Sequence, residues 1–351
     1  MHLHPTRREA LTVSETTLTR WSLAGHFPSK LREVSTAPHS LLDLMILQDG
    51  RIGISGGVTG TPDGDLFALR SIDSQKQKPT DPCVIELRHW EDFSRAKTFT
   101  IAQACGPLES IASSSDGRWL VVGAGIAQRM FLLDRHTGEI MSHHAIGGYK
   151  ITGLTFDPTS TFVAGVACHD TWGHVMLWRL VPAERWVPRT EERPHDQALE
   201  PDVAQGSSAL SLEHWELDRT GVAWPNHDLA DTIGTTVFSP GGHLVVFRLL
   251  SFYNTPFIDF VAYEVPSGKQ RWHIRRESDD GLGEYFTFTP DGQYVLICGQ
   301  DNTLSMYRAS DGTRQSRFPS GAREPIQALA FDHDGTTLWL ASGETVLPYR
   351  L

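Results

Sequence analysis

Three groupings of side chains in this 351-residue sequence have the types and the spacing to do chemistry. The first, Cys168-His169-Asp170-Thr171-Trp172-Gly173-His174, gathers two imidazoles and a carboxylate, the donors that zinc-like ions take. No fourth ligand accompanies His169, Asp170 and His174, and among 16 histidines one such cluster arises by chance. The same residues, with Trp172, therefore read as polar and aromatic contacts for a partner. The second grouping is Ser251-Phe252-Tyr253-Asn254-Thr255-Pro256-Phe257-Ile258, which puts Phe252, Tyr253 and Phe257 beside Asn254 in a loop. Aromatics of this kind are enriched at interface hot spots, although they also serve to cap a protein's own rim. The third is a set of carboxylates: Glu109 and Glu284 each stand seven residues before a tight turn, and Asp231 and Glu324 three residues further back from theirs. If they converged, their oxygens would suit Ca²⁺, which would polarise a substrate carbonyl. If dispersed, each is simply solvated.

Nucleophilic catalysis has no support. There is no G-x-S-x-G elbow, since Gly206-Ser207-Ser208 lacks the second glycine. Cys83, Cys105, Cys168 and Cys298 are too scattered for a zinc or redox pair. Gly123-Ala124-Gly125 and Gly147-Gly148 enter no helix, so they cannot cradle a phosphate on a helix dipole. No catalytic residue is assigned and no cofactor is expected.

The elements that must carry these groups repeat along the chain. Six turns, Gln48-Asp49-Gly50, Ser115-Asp116-Gly117, Asp157-Pro158-Thr159-Ser160, Ser239-Pro240-Gly241-Gly242, Thr289-Pro290-Asp291-Gly292 and His333-Asp334-Gly335, use residues that reverse a chain cheaply. Ahead of them, Leu44/Ile46, Ile111/Ser113, Leu154/Phe156, Thr236/Phe238, Phe286/Phe288 and Leu329/Phe331 recur at matched offsets with the period of a strand. Behind them lie near-continuous apolar runs such as Trp119 to Val122 and Leu244 to Phe247, the pattern of strands buried on both faces. Third strands follow, and several close with a turn into a polar fourth. Four strands with a wet outer edge make a propeller blade.

An all-β fold follows: a single β-propeller of four-stranded antiparallel blades over 14–351, behind a tail at 1–13. The turns step by 67, 43, 82, 50 and 43 residues, and 82 is about two blades. Leu210 to Gly221 inside that gap has the look of a third strand with its turn, so a degenerate blade at about 187–232 makes seven. A six-bladed ring with a polar insertion there is the alternative. The N-terminal strand Thr17 to Leu23 is expected to complete the last blade and close the ring. The segment Gly57 to Pro82 is expected to be a long mobile loop.

The unit Phe286 to Gly292 through Cys298-Gly299-Gln300-Asp301-Asn302-Thr303-Leu304-Ser305-Met306-Tyr307-Arg308 resembles the WD-repeat family, and the similarity extends over about residues 14 to 351, closest to its divergent prokaryotic members. Asp301 stands at that family's turn aspartate. The eponymous Trp-Asp pair is replaced by Leu133-Asp134, Trp178-Arg179, Tyr263-Glu264 and Tyr307-Arg308, and no Gly-His pair opens the blades. The resemblance implies a rigid protein-interaction platform without chemistry of its own.

Charge narrows the partners. Thirty-one Lys and Arg against 42 Asp and Glu leave a formal −11, unfavourable for nucleic acid or anionic lipid. No apolar run approaches the roughly 18 residues that span a bilayer, and the first eight residues have no apolar core of a signal peptide. The expectation is a cytoplasmic, monomeric scaffold that binds another protein through His169, Asp170, Trp172, His174, Phe252, Tyr253, Asn254 and Phe257. The alternative is a calcium-type hydrolase or lactonase on Glu109, Asp231, Glu284 and Glu324, as some propellers hold Ca²⁺ in such a ring.

Overall fold

The computed structural model describes residues 1–3, 6–13, 17–25, 27–35, 42–46, 52–56, 58–60, 66–70, 82–105, 108–124, 129–145, 150–169, 172–182, 210–215, 233–251, 257–277, 285–299, 301–332 and 334–350. Among them every regular element is a strand, and every strand pair is antiparallel. The third to sixth sheets have four strands each in simple up-and-down order. They run Leu108–Ser113 to Ile140–Ala145, Lys150–Phe156 to Leu210–Trp215, Ile233–Phe238 to Gln270–Glu277, and Phe286–Phe288 to Arg314–Pro319. The seventh comprises Ile326–Phe331, Leu338–Ser342 and Thr345–Tyr349. The architecture is that of a β-propeller.

The N-terminal third departs from expectation. Residues 1–13 are not a tail: His2–Leu3 and Glu9–Val13 join Thr17–Ser22 and Ser29–Ser35 in a first sheet of their own. Thr17–Ser22 therefore pairs with its sequence neighbours and not with the last sheet. Two strands, Val58–Gly60 and Leu66–Arg70, lie within the expected loop 57–82 and join Pro82–His89 and Arg95–Cys105 as a second sheet. That leaves Leu42–Ile46 and Ile52–Gly56, read as the inner half of that unit, as a separate two-stranded hairpin. Leu210–Trp215, read as part of a degenerate unit, is instead the outermost strand of the fourth sheet, paired with Trp172–Pro182. Residues 183–209 and 216–232 of that stretch lie outside the described residues. Among the described residues seven sheets of three or four strands are thus present, with their strands grouped differently from what turn spacing suggested.

Neighbouring sheets meet face to face through apolar layers, because their central strands are buried on both sides. Val122 and Leu133 pack with Ile85 and Phe99 between the second and third sheets. Val166 and Leu177 meet Phe247 and Tyr263 between the fourth and fifth. Phe260 meets Phe286 edge-on, 5.5 Å between ring centres, between the fifth and sixth. Ala10, Trp21 and Leu23 of the first sheet pack with Trp339 and Val346 of the seventh. The innermost strands neighbour one another in sheet order, and Ile326–Phe331 of the seventh lies beside His2–Leu3 of the first. The extra hairpin lies along them: Ile52–Gly56 neighbours the innermost strands of the third, fourth and fifth sheets.

Five turns are built alike. The first residue of each presents a side-chain oxygen to the backbone N–H five residues on: Trp119 N–H to Ser114 Oγ (2.8 Å), Phe162 to Asp157 Oδ1 (2.6 Å), Leu244 to Ser239 Oγ (3.0 Å), Tyr294 to Thr289 Oγ1 (3.0 Å) and Thr337 to Asp332 Oδ1 (2.9 Å). Three residues after each acceptor the chain turns left-handed, at Gly117, Ser160, Gly242, Gly292 and Gly335. Glycine makes that conformation cheap, and Ser160 shows that a small polar residue also adopts it.

Candidate functional site

These turns fix which end of the molecule each loop occupies. Ser115 Oγ donates to Asp157 O (3.1 Å) and Ser160 Oγ accepts from Asp116 N–H (3.1 Å), joining the turns of the third and fourth sheets. A Cβ on Gly242 would stand 3.6 Å from Asp157 Oδ2, and one on Gly292 would stand 3.5 Å from Pro240. The first turns of successive sheets therefore line one end. In an up-and-down sheet the connection between second and third strands must leave from the other.

The strand ends that flank the two partner-contact groupings lie at that other end, on adjacent sheets. In the fourth sheet the ladder runs without interruption to its last pair, His169 opposite Trp172, with His174 opposite Ala167. The stretch expected to be a loop is thus strand at His169, Trp172 and His174. Asp170 lies outside the described residues, as do the side chains of His169, Trp172 and His174. In the fifth sheet the last pair is Ser251 with Phe257. Ile258, counted in that loop, is a fully buried strand residue. Phe252, Tyr253 and Asn254 lie outside the described residues, and so does the side chain of Phe257.

Of the four carboxylates in the alternative reading, Glu324 is exposed, with its backbone O accepting from Ser342 Oγ at 2.7 Å. Glu109 lies on the innermost strand Leu108–Ser113, its side chain outside the described residues, as are Asp231 and Glu284 entirely. Among the described residues no group of three or more His, Cys, Asp or Glu comes together.

The turn end carries two polar constructions that periodicity did not signal. One fastens the first sheet to the second. The Arg20 guanidinium meets both oxygens of Glu9, at 3.0 and 3.2 Å, and also Glu91 Oε1 at 3.2 Å, while the indole N–H of fully buried Trp90 donates to Glu9 Oε2 at 3.1 Å. Coulombic attraction and a hydrogen bond from Arg20 hold the exposed Glu91 carboxyl below its ordinary range. The signal was Arg20 inside an otherwise buried strand, because an interior guanidinium requires a carboxylate.

The other is a cleft of about 300 Å³ where the first and seventh sheets meet. Its apolar lining is Leu3, Leu23 and Trp339; Arg7, Arg8 and Glu9 enter from the first sheet, and Asp332 and Arg350 from the seventh. Arg8 reaches Asp334 of the seventh sheet's turn at 4.0 Å.

A third polar group sits within the fifth sheet. Asp259, almost fully buried, accepts from Arg275 Nε (2.9 Å) and Arg275 Nη2 (3.0 Å) and lies 2.6 Å from His273 Nε2. Burial alone would push its carboxyl up. The hydrogen bonds from His273 and Arg275 outweigh burial and hold it below the ordinary aspartate value.

No family model matches the chain, and no curated protein matches it. Solved structures do. A chain in the crystal structure of the mitotic checkpoint complex aligns with 98% of this chain and 86% of its own length, with a TM-score of 0.59 at 14% identity. That neighbour is a WD-repeat propeller, and the likeness shows the fold. With 1550 matching chains among solved structures, the fold is too widely used to select a function. Among the described residues no helix is long and apolar enough to cross a membrane.

Proposed function

We propose that this chain is a non-catalytic WD-like propeller that holds another protein on the end opposite its first turns. The observation that carries this reading is that the second and third strands of the fourth and fifth sheets, whose last pairs are His169 with Trp172 and Ser251 with Phe257, belong to neighbouring sheets packed through a shared apolar layer. A stiff frame presenting loops side by side gives a partner preorganised contacts at little ordering cost. Trp172, Phe252, Tyr253 and Phe257 are the aromatic anchors of this surface, with His169, Asp170, His174 and Asn254 as polar contacts. The structural neighbour comes from a multi-protein assembly, which supports the same use. The protein is monomeric by itself and works in the cytoplasm.

Co-purification of the full chain with its partners from its native cells tests this. Phe252→Ala/Tyr253→Ala and Trp172→Ala should each lose at least one partner while melting like the parent. Retention of every partner by both variants overturns the reading.

A further inference from the structure

Stability is spread unevenly over a fold, and the least secured junction opens first. Most seams of this ring carry a hydrogen bond from one sheet to the next besides their apolar contacts. Arg20 of the first sheet reaches Glu91 of the second, and the Lys97 ammonium of the second donates to His136 O of the third. The Leu154 N–H of the fourth donates to Ser110 Oγ of the third at 2.9 Å, and Thr236 Oγ1 of the fifth donates to Gly153 O of the fourth. The Trp272 indole crosses from the fifth sheet to Ala309 O of the sixth at 2.7 Å. Phe318 and Tyr349 stack between the sixth and seventh, 5.6 Å between ring centres.

The seam between the first and seventh sheets is made differently. Its layer of Ala10, Trp21, Leu23, Trp339 and Val346 is buried, but the cleft of about 300 Å³ interrupts it beside Leu23 and Trp339. Two indoles lie in this layer and neither bridges it. Trp21 Nε1 donates to Thr12 Oγ1 of its own sheet at 2.8 Å, and Trp339 Nε1 is buried with no partner. An unpaired buried donor penalises the closed state, and water satisfies it once the sheets part. The ion pair that spans the seam, Arg8 with Asp334, is 4.0 Å long with both side chains exposed, a geometry that contributes little. Thr17–Ser22 pairs within its own sheet, so it does not tie the two together. The seventh sheet has three strands among the described residues, so Ser29–Ser35, outermost in the first, faces no fourth strand there.

From these contrasts we infer that this seam is a gate, at which the first sheet parts from the seventh while both stay folded. The first sheet travels with the second, because Arg20 and Glu9 bind Glu91 and Trp90 through charged hydrogen bonds. Opening separates His2–Leu3 from Ile326–Phe331 among the innermost strands and uncovers Trp21, Leu23 and Trp339. The other seams stay shut, since each would have to give up a hydrogen bond or a ring stack as well as its apolar layer.

Thiol labelling of the full chain tests the gate. Ala10→Cys puts a thiol in this seam, while Ala164→Cys and Ala262→Cys put one in the seams between the fourth and fifth and between the fifth and sixth sheets; all three alanines are fully buried. Iodoacetamide is the probe, and mass spectrometry of the peptide carrying each new thiol keeps the native cysteines out of the reading. Without denaturant, Ala10→Cys should react at least tenfold faster than either of the others. Its rate should rise only weakly with urea, as opening a seam exposes little surface, whereas the others should follow global unfolding. Val346→Cys, on the seventh sheet's side, should behave like Ala10→Cys, so the result does not hang on one substitution. Arg8→Asp, which sets a second carboxylate against Asp334, should speed the reaction at Ala10→Cys at least threefold and leave that at Ala164→Cys unchanged. Equal rates in all seams, or a urea dependence at Ala10→Cys and Val346→Cys that matches global unfolding, would overturn the inference. None of these measurements involves a bound protein, so they stand apart from the surface proposed at the other end.

Discussion

Arg20 and Glu9 meet as a two-toothed pair inside the first sheet, guanidinium nitrogens 3.0 and 3.2 Å from the two carboxylate oxygens, with only 10% and 15% of the side chains exposed. Removing Arg20 leaves the Glu9 carboxylate buried without its guanidinium and loosens the turn that holds Glu91. Arg20→Met should therefore cost about 3 kcal/mol in chemical denaturation. Arg20→Met/Glu9→Leu should recover part of that loss, since an apolar replacement of both charges leaves none of them buried alone. A double variant less stable than the single one by the full second increment would show that the two residues act independently.

Asp259 predicts an acid limb. Its folded-state pKa lies below the ordinary value, so its contribution is complete above the unfolded pKa of about 4 and is lost as pH falls through the folded value. Asp259→Asn should cost about 2 kcal/mol at pH 7, the scale of hydrogen bonds to a charged group. Its penalty should shrink below about pH 4, because the parent loses there what the variant has already lost. Unfolding free energies measured across that range for both proteins check the sign.

Two glycines of nearly equal backbone conformation separate strain from packing. Gly138 and Gly321 have φ of 78° and 76°. A Cβ on Gly138 would fall 2.1 Å from the Phe99 ring, whereas one on Gly321 would meet nothing within 4 Å. Gly321→Ala should cost about 1 kcal/mol for the left-handed backbone alone. Gly138→Ala should cost about 2 kcal/mol more, and Phe99→Leu should reduce that excess. Equal thermal shifts for the two glycine variants would contradict the geometry.

The turn oxygens are testable at Thr289, whose hydroxyl accepts the Tyr294 N–H and donates to Asp291 Oδ1 at 2.6 Å. Thr289→Val keeps the shape and removes the oxygen, and should lower stability by about 1 kcal/mol. Thr289→Ser keeps the oxygen and should stay within about half of that. The pair of thermal melts decides whether the oxygen or the methyl group matters.

The strand pattern was legible wherever an Asp-Gly or Pro-containing turn stood between two apolar strands. Ile111, Leu154, Phe238, Phe286 and Leu329 are all buried where period two put them. Of the first sheet only Thr17 to Leu23 was legible, because its strands mix Glu9, Thr12 and Arg20 with the apolar residues. Arg20 is charged by type yet interior by position, and only its partners reveal that. Val58–Gly60 and Leu66–Arg70 were hidden by the glycines and prolines around them, which suit a loop equally well. Of the candidate site, the placement of His169, Trp172 and Phe257 near one end followed from strand order. The cleft at Trp339 did not, since it joins residues more than 300 positions apart, and no local pattern encodes that meeting.

The five matching turns ask very little of the residues that build them. One position needs an acceptor oxygen, and Ser114, Asp157, Ser239, Thr289 and Asp332 satisfy it with three different side chains; another needs a residue content with positive φ. Each of these five bonds closes within its own turn, and the bonds from Ser115 and to Ser160 that join the third and fourth sheets' turns are additional to them. A specification this loose carries few bits per repeat. Copies can diverge in spelling while the geometry stays put, and a chain built this way shares its shape with many structures at an identity as low as 14%.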